Sequence, residues 1–178
     1  MSALAARSAD FARRHKAILI VLAAALAVRL GYNLLLHPPL DHVRSDMAGY
    51  VRRASEVLDR PWGERSPYAT FFPFGTHLLV AAIQAVFGRG EGAALGVAYA
   101  LMGAGAAAYA FAFGARLLPD RPRLLAAYGA LLVLHVPAIM LGGFVLSEIP
   151  FTLALAAGAF HALRHFDEGR ARDALLAG

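Results

Sequence analysis

The chain contains no cysteine. A disulfide framework, a thiolate metal site and a cysteine nucleophile are therefore all excluded. Lysine is nearly absent as well: Lys16 is one of 17 basic residues, and the other sixteen are arginine. Charge of either sign is scarce, at 16% of the residues, where an average soluble domain carries roughly a quarter. There is no Gly-rich phosphate loop, no nucleophile elbow and no His-Glu-x-x-His sequence. The lack of these motifs argues against a P-loop motor and the common soluble hydrolases.

What fills the chain instead is apolar. Hydrophobic residues make up 59% of the 178, and the mean hydropathy is +0.56. No Asp, Glu, Lys or Arg occurs in 66–88, 92–115, 124–147 or 149–163, and 17–40 holds only Arg29. Uncharged runs of that length read as membrane segments. The net charge of +5 and pI near 10.1 do not indicate nucleic acid. The arginines sit in short clusters flanking the apolar runs, as membrane topology requires, and not along a groove-tracking patch. The bias of Arg over Lys fits a GC-rich bacterial gene.

The expected fold is all-α: a polytopic membrane protein with about four transmembrane helices plus interfacial helices in the first outer loop. The spans fall at 17–36, 92–115, 124–142 and 146–163. The first is read as an uncleaved span, because its apolar run continues past Arg29 to Leu36. Pro137 predicts a kink in the third. Ser147 is placed as N-cap of the fourth, with Pro150 in its first turn. Residues 37–91 form the outer loop. Within it, Met47, Tyr50, Val51, Ala54, Val57 and Leu58 recur at helical spacing. They predict an amphipathic helix over 46–58 capped by Ser45. The run from Phe74 to Gly88 is about 22 Å long as a helix, too short for a comfortable crossing, and reads as interfacial or re-entrant. Trp62, Tyr68, Phe71 and Phe72 resemble an interfacial aromatic belt.

Charge counting selects the topology. With 74–88 on the outer interface, ten Lys/Arg share the side of the N-terminal head and six lie opposite, largely balanced by acids. If all five apolar runs cross with the head inside, the count is five inside and eleven outside, which inverts the positive-inside rule. Five crossings with the head outside count equally well, but the basic cluster at 13–16 abuts the first span and holds that end inside. Both ends are thus expected in the cytoplasm. The outer loop and the turn before Glu148 then share the outer face.

Few residues there can carry chemistry. Asp46 opens the amphipathic helix, where the helix dipole favours its ionised form. It can serve as general base to an acceptor hydroxyl or simply be a helix-start acid. Glu148 is the only formal charge in 124–163. Ionisable groups in such settings are functional candidates by default, the alternative being an interfacial helix start. Arg29 either snorkels to the interface or faces a lipid phosphate or an outer carboxylate. Asp41 and His42 offer metal-ligand types without ligand spacing. Tyr50 reads as packing. His77 and His135 are lone histidines in apolar helices. The pair Arg52-Arg53 is either a solvated face or a contact for anionic headgroups.

With these residues in view, the chain resembles the N-terminal part of a GT-C superfamily membrane glycosyltransferase. It is similar to the protein O-mannosyltransferase and lipid A aminoarabinose-transferase group. The resemblance runs in order through Val28-Arg29-Leu30-Gly31-Tyr32, Ser45-Asp46-Met47-Ala48-Gly49-Tyr50, Phe72-Pro73-Phe74-Gly75-Thr76-His77 and Leu146-Ser147-Glu148-Ile149-Pro150-Phe151. It implies a polyprenyl-phosphate-sugar donor, an acceptor glycan, lipid or protein, contact with membrane lipids, and no nucleic acid. It also implies a multi-pass protein of the bacterial inner (plasma) membrane. Carried over, Asp46 is the general base and Glu148 the second acid near the donor phosphate. Arg29, Asp41, His42, Tyr50 and His77 are then substrate-binding. No metal ligand set is assigned, although a divalent cation is compatible with the family. Asp41 and Asp46 are five apart, where some relatives have paired acids. Relatives are also far longer, and residues 173–178 read as the opening of another span. The expectation is therefore a portion of a larger enzyme, inactive alone. Two other readings are a transporter fragment, disfavoured by the lack of midplane polar residues, and a non-catalytic scaffold packed by its Gly/Ala faces.

Overall fold

In an apolar solvent every backbone N–H and C=O must find its partner within the chain, and a helix satisfies them residue by residue. The computed structural model describes residues 3–60 and 74–178, with side chains from residue 15 onward, and no strand occurs among them. Helix α1 covers Ala3–Gly31 and runs into a π-helical turn, Tyr32–Leu36, and a 3-10 turn, Pro39–His42. Helix α2 covers Ser45–Asp59, α3 Phe74–Phe87, α4 Gly92–Leu117, α5 Pro122–Leu134, α6 Val136–Gly142, α7 Glu148–Glu168 and α8 Ala171–Ala177. Gly88 and Gly169, both at positive φ, close α3 and α7. Their N–H groups bond back to the carbonyls of Gln84 (2.9 Å) and His165 (2.8 Å), the left-handed C-terminal cap that glycine adopts at least cost.

Three helical segments are long and apolar enough to cross a membrane: His15–Leu36, Gly92–Leu117 and Pro122–Gly142. The third is broken at His135, two residues before Pro137. Pro137 has no N–H to continue the ladder, and its ring crowds the carbonyl four residues back. The fourth expected span differs. Helix α7 has 21 residues, but His161, Arg164, His165, Asp167 and Glu168 occupy its last turns. The run 149–160 ahead of His161, apolar except for Thr152, is only about 18 Å long. Helix α3, with 14 residues, is apolar but short, as its length predicted. Within the Pro122–Gly142 segment, Gly129 and Gly142 alone are buried. Leu124, Leu131, Leu134, Val136 and Met140 all stand exposed on it. In water such a surface is an aggregation liability; against lipid it is the ordinary state.

The chain divides into two compact units. One comprises Arg29–Gly103 and Val136–Phe151. Its core joins Met47 and Ala54 of α2 to Val80 and Ala81 of α3, Leu95 and Tyr99 of α4, and Val145 and Ile149. The other comprises Met1–Val28, Ala104–His135 and Thr152–Gly178. Its core is Ala25, Ala104 and Ala107, flanked by Leu22, Leu26, Leu132 and Val133. Glycines admit close neighbours there. A Cβ on Gly114 would sit 2.6 Å from the Tyr128 ring, and one on Gly129 3.0 Å from Phe111. Its charges pair locally: Arg116 with Asp167 (2.8 Å) and with Glu168, and His161 Nδ1 with Asp173 (2.7 Å).

Candidate functional site

The expected site residues Asp46, Glu148, Arg29, Asp41, His42, Tyr50 and His77 all fall in the unit of Arg29–Gly103 and Val136–Phe151. Helix α2 observes the predicted stripe. Met47, Tyr50 and Ala54 are buried, while Asp46 stands exposed in the first turn. The cap differs from expectation. Arg44 holds the N-cap position, and no side-chain capping bond forms. Ser45 itself lies at φ 46°, and its hydroxyl is 3.5 Å from Asp46 Oδ1. A non-glycine residue in that region stores strain, a feature that clusters at functional turns.

Tyr99 of α4 links the turn of Asp46 to the turn of Glu148. Tyr99 shares one core cluster with Met47, which follows Asp46, and with Val145 and Ile149, which flank the turn of Glu148. The Tyr99 hydroxyl donates a 3.0 Å hydrogen bond to the carbonyl of Leu146, two residues before Glu148. The outer-loop helix and the 142–148 turn are therefore built around one aromatic residue. A second connection runs through imidazoles. The ring of His37 stacks on His42 at 3.9 Å and on Tyr32 at 5.5 Å, and packs tilted against Phe144 at 4.6 Å. Gly143 permits this, since a Cβ there would lie 2.8 Å from Tyr32 and 2.9 Å from His37 Nδ1.

Asp41 is exposed in the 3-10 turn, next to His42. Among the described residues no group of three His, Asp or Glu side chains could hold a metal ion. Glu148 is exposed in the first turn of α7, with Ser147 before it and Pro150 within that turn. His77 is buried, edge-on to Phe74 with ring centroids 4.6 Å apart. His77 and Gln84, seven residues apart on α3, both face inward. His135 is exposed at the α5–α6 break and belongs to the other unit.

Two arginines correct the sequence reading. Arg29 does not snorkel outward; it is 2% exposed, and its Nε lies 2.9 Å from where a Cβ on Gly103 would be. Gly103 thus makes room for the guanidinium. Arg52 and Arg53 do not behave as a pair. Arg52 is exposed and bridges Glu56 at 3.7 Å, whereas Arg53 is 2% exposed. Helical periodicity held the signal, since Arg53 follows the inward-facing Tyr50 by three residues.

Asn33 went unrecognised in the sequence. It is fully buried, and its amide donates to the carbonyls of Gly96 and Gly142, each at 2.9 Å. One side chain thereby ties the π-helical turn to α4 and α6. At the opposite end of the loop, Arg89 Nη2 donates to Asp59 at 2.6 Å. This hydrogen bond and the guanidinium charge hold the Asp59 carboxyl below the usual carboxylate range. Trp62, Tyr68, Phe71 and Phe72, the expected aromatic belt, lie outside the described residues. No family model matches the chain, and neither a curated protein nor a solved structure does.

Proposed function

We propose that this chain forms part of a membrane glycosyltransferase that moves a sugar from a polyprenyl-phosphate donor to an acceptor hydroxyl at the outer face of the inner membrane. The observation that carries this reading is the joining of the Asp46 and Glu148 turns in one unit through the packing of Met47, Tyr99, Val145 and Ile149 and the hydrogen bond from Tyr99 to the Leu146 carbonyl. Those two acids are 102 residues apart in a chain otherwise poor in charge. In the reaction, Asp46 accepts the proton of the acceptor hydroxyl. The hydroxyl oxygen attacks the anomeric carbon, and the bond from that carbon to the phosphate oxygen breaks. The polyprenyl phosphate leaves with the electron pair, its charge stabilised by a cationic side chain. Asp41 is exposed and His42 half-buried, open to a substrate, whereas Tyr50 and His77 are buried and pack the unit. The strained Ser45 turn that presents Asp46 supports a base held in place for proton transfer. The reaction class rests on resemblance to GT-C enzymes through the motifs around Arg29, Asp46, His77 and Glu148.

Two measurements test it. In membranes carrying the complete gene product, Asp46→Asn is expected to lower sugar transfer about 10²- to 10⁴-fold with unchanged protein level. Retained turnover removes Asp46 as base. Independently, single cysteines at Ser45, Ser147 and Asp120 are labelled in intact cells with an impermeant thiol reagent. Ser147 is used because a side chain at the neighbouring Gly143 would collide with Tyr32. Labelling at Ser45 and Ser147 but not Asp120 is expected. Labelling at Asp120 with protection at Ser147 rejects the outer-face site.

A further inference from the structure

Just after the first apolar span the chain sets two imidazoles face to face. His37 and His42 stack with ring centroids 3.9 Å apart and 26° between their planes. His37 also packs on Tyr32 and Phe144. It is thus the middle ring of a cluster that joins the segment before α2 to the 142–148 turn. Its Nδ1 is buried without a hydrogen-bond partner and lies 2.9 Å from where a Cβ on Gly143 would be. The neutral ring therefore keeps its proton on Nε2. Adding a proton at Nδ1 buries a donor that nothing accepts, at a cost in free energy.

Each neighbouring element contributes its own titratable or charged groups. Asp41 and Arg44 flank His42, and Tyr32 supplies a phenol from the π-helical turn. Glu91 precedes Gly92, against which Leu40 packs, and Glu148 follows Phe144 by four residues. Among the described residues none of these forms an ion pair or hydrogen bond with either imidazole. A proton on each ring therefore places two positive charges about 4 Å apart with no carboxylate bonded to them, and they repel. Imidazole is the side chain that ordinarily changes charge between about pH 5 and 8. We infer that the His37–His42 stack is an acid-released latch, closed while at most one ring is charged and parted when both are. The parted form binds more protons than the stacked form, so the latch holds at higher pH and is lost as pH falls. The flanking ties, Asn33 to the Gly142 carbonyl and Tyr99 to the Leu146 carbonyl, use an amide and a phenol and persist through that range. Release frees residues 37–44 from Phe144 without unfolding the unit. It loosens the segment that leads into the strained Ser45 and Asp46. The latch rests on ring geometry and not on the sugar-transfer reading.

The test is the mobility of one spin label. The chain has no cysteine, so Val43→Cys in the full chain, purified in detergent, takes a single nitroxide beside His42. Val43 is exposed. A second preparation labelled at Leu101→Cys, an exposed position of α4 in the same unit, reports whether the unit stays folded. Electron paramagnetic resonance spectra are recorded from about pH 7.5 to about pH 5.5, across the imidazole range. The mobile fraction at position 43 is expected to rise about tenfold, within the limit set by uptake of one proton, while the spectrum at 101 stays constant. His37→Phe and His42→Phe each keep a ring that stacks and remove one proton site. Each should hold the label at 43 immobile at both ends of the range, with the spectrum at 101 unchanged. A spectrum at 43 that ignores pH, a response shared equally by 101, or a response that survives in either Phe variant overturns the latch.

Discussion

The two units bury different kinds of side chain. Among the described residues, the unit of Arg29–Gly103 and Val136–Phe151 buries Arg29, Asn33, Arg53, Thr76, His77 and Gln84; the other buries one polar residue, Asp173. Its remaining buried residues are mostly alanine and glycine, with Val21 and Phe111. Along α1 and the turn after it the change occurs within one stripe. Val21, Ala25, Arg29 and Asn33 recur every four residues, all buried, the first pair apolar and the second pair polar. Small residues give close helix packing at low desolvation cost. Buried guanidiniums and amides cost far more and persist where they bind or position something. One unit is built for adhesion between helices, and the other carries groups that adhesion alone does not require.

The largest expected effect comes from Asn33→Ala in the polar-cored unit. It deletes two buried hydrogen bonds, to the carbonyls of Gly96 and Gly142. A loss of about 2–3 kcal/mol is expected, read as a lowered midpoint of thermal unfolding in detergent. A smaller loss than from an exposed substitution would mean that the amide is not a tie. Next is Gly114→Ala in the alanine-cored unit, where the new methyl meets Tyr128. It should cost about 1–3 kcal/mol by overpacking while leaving the accessibility of a cysteine at Ser45 unchanged. Altered labelling at Ser45 would erase the distinction between the units.

The buried acid of the alanine-cored unit gives a pH signature. The hydrogen bond from His161 and the charge of Arg164 hold the Asp173 carboxyl below its ordinary value. Its folded-state pKa is depressed, so its stabilisation is fully present above an unfolded carboxylate pKa of about 4 and is lost as pH falls through the folded value. Asp173→Asn should remove that acid limb, visible as a flatter dependence of unfolding midpoint on pH below 5. The smallest effect belongs to Arg52→Ala, which breaks an exposed pair with Glu56. At most about 0.5 kcal/mol is expected. A tenfold change in the proposed sugar transfer from this variant would relocate the proposed site to the solvated face of α2.

Local features were legible in the sequence, and long-range ones were not. The spacing of Met47, Tyr50 and Ala54 predicted a helix within a residue of α2. The apolar run after Pro73 predicted α3, and Pro137 predicted the break at His135. These depend on neighbours three or four positions away. The expected fourth span, 146–163, starts within two residues of α7, whose last turns carry the charges that follow it. Asn33 was missed because its partners, Gly96 and Gly142, are 63 and 109 residues away. Both offer only backbone carbonyls, which leave no mark in the side-chain sequence. Tyr99 was missed for the same reason: its acceptor is the Leu146 carbonyl. The separate fates of Arg52 and Arg53 were within reach of helical periodicity, which distinguishes positions 100° apart.

The π-helical turn at Tyr32–Leu36 has a consequence for length. His37 N–H bonds to the carbonyl of Tyr32, five residues back, at 2.8 Å. That widened turn carries one residue more than an α-helical turn would need. Its register sets Asn33 toward its two carbonyls and His37 between Tyr32, His42 and Phe144. Deleting Leu35, itself 81% exposed, would close the turn as an ordinary α-helix and swing every following side chain by about 100°. Leu35 can therefore be exchanged for another apolar residue but not removed: at this point the chain constrains the count of residues more tightly than their identity.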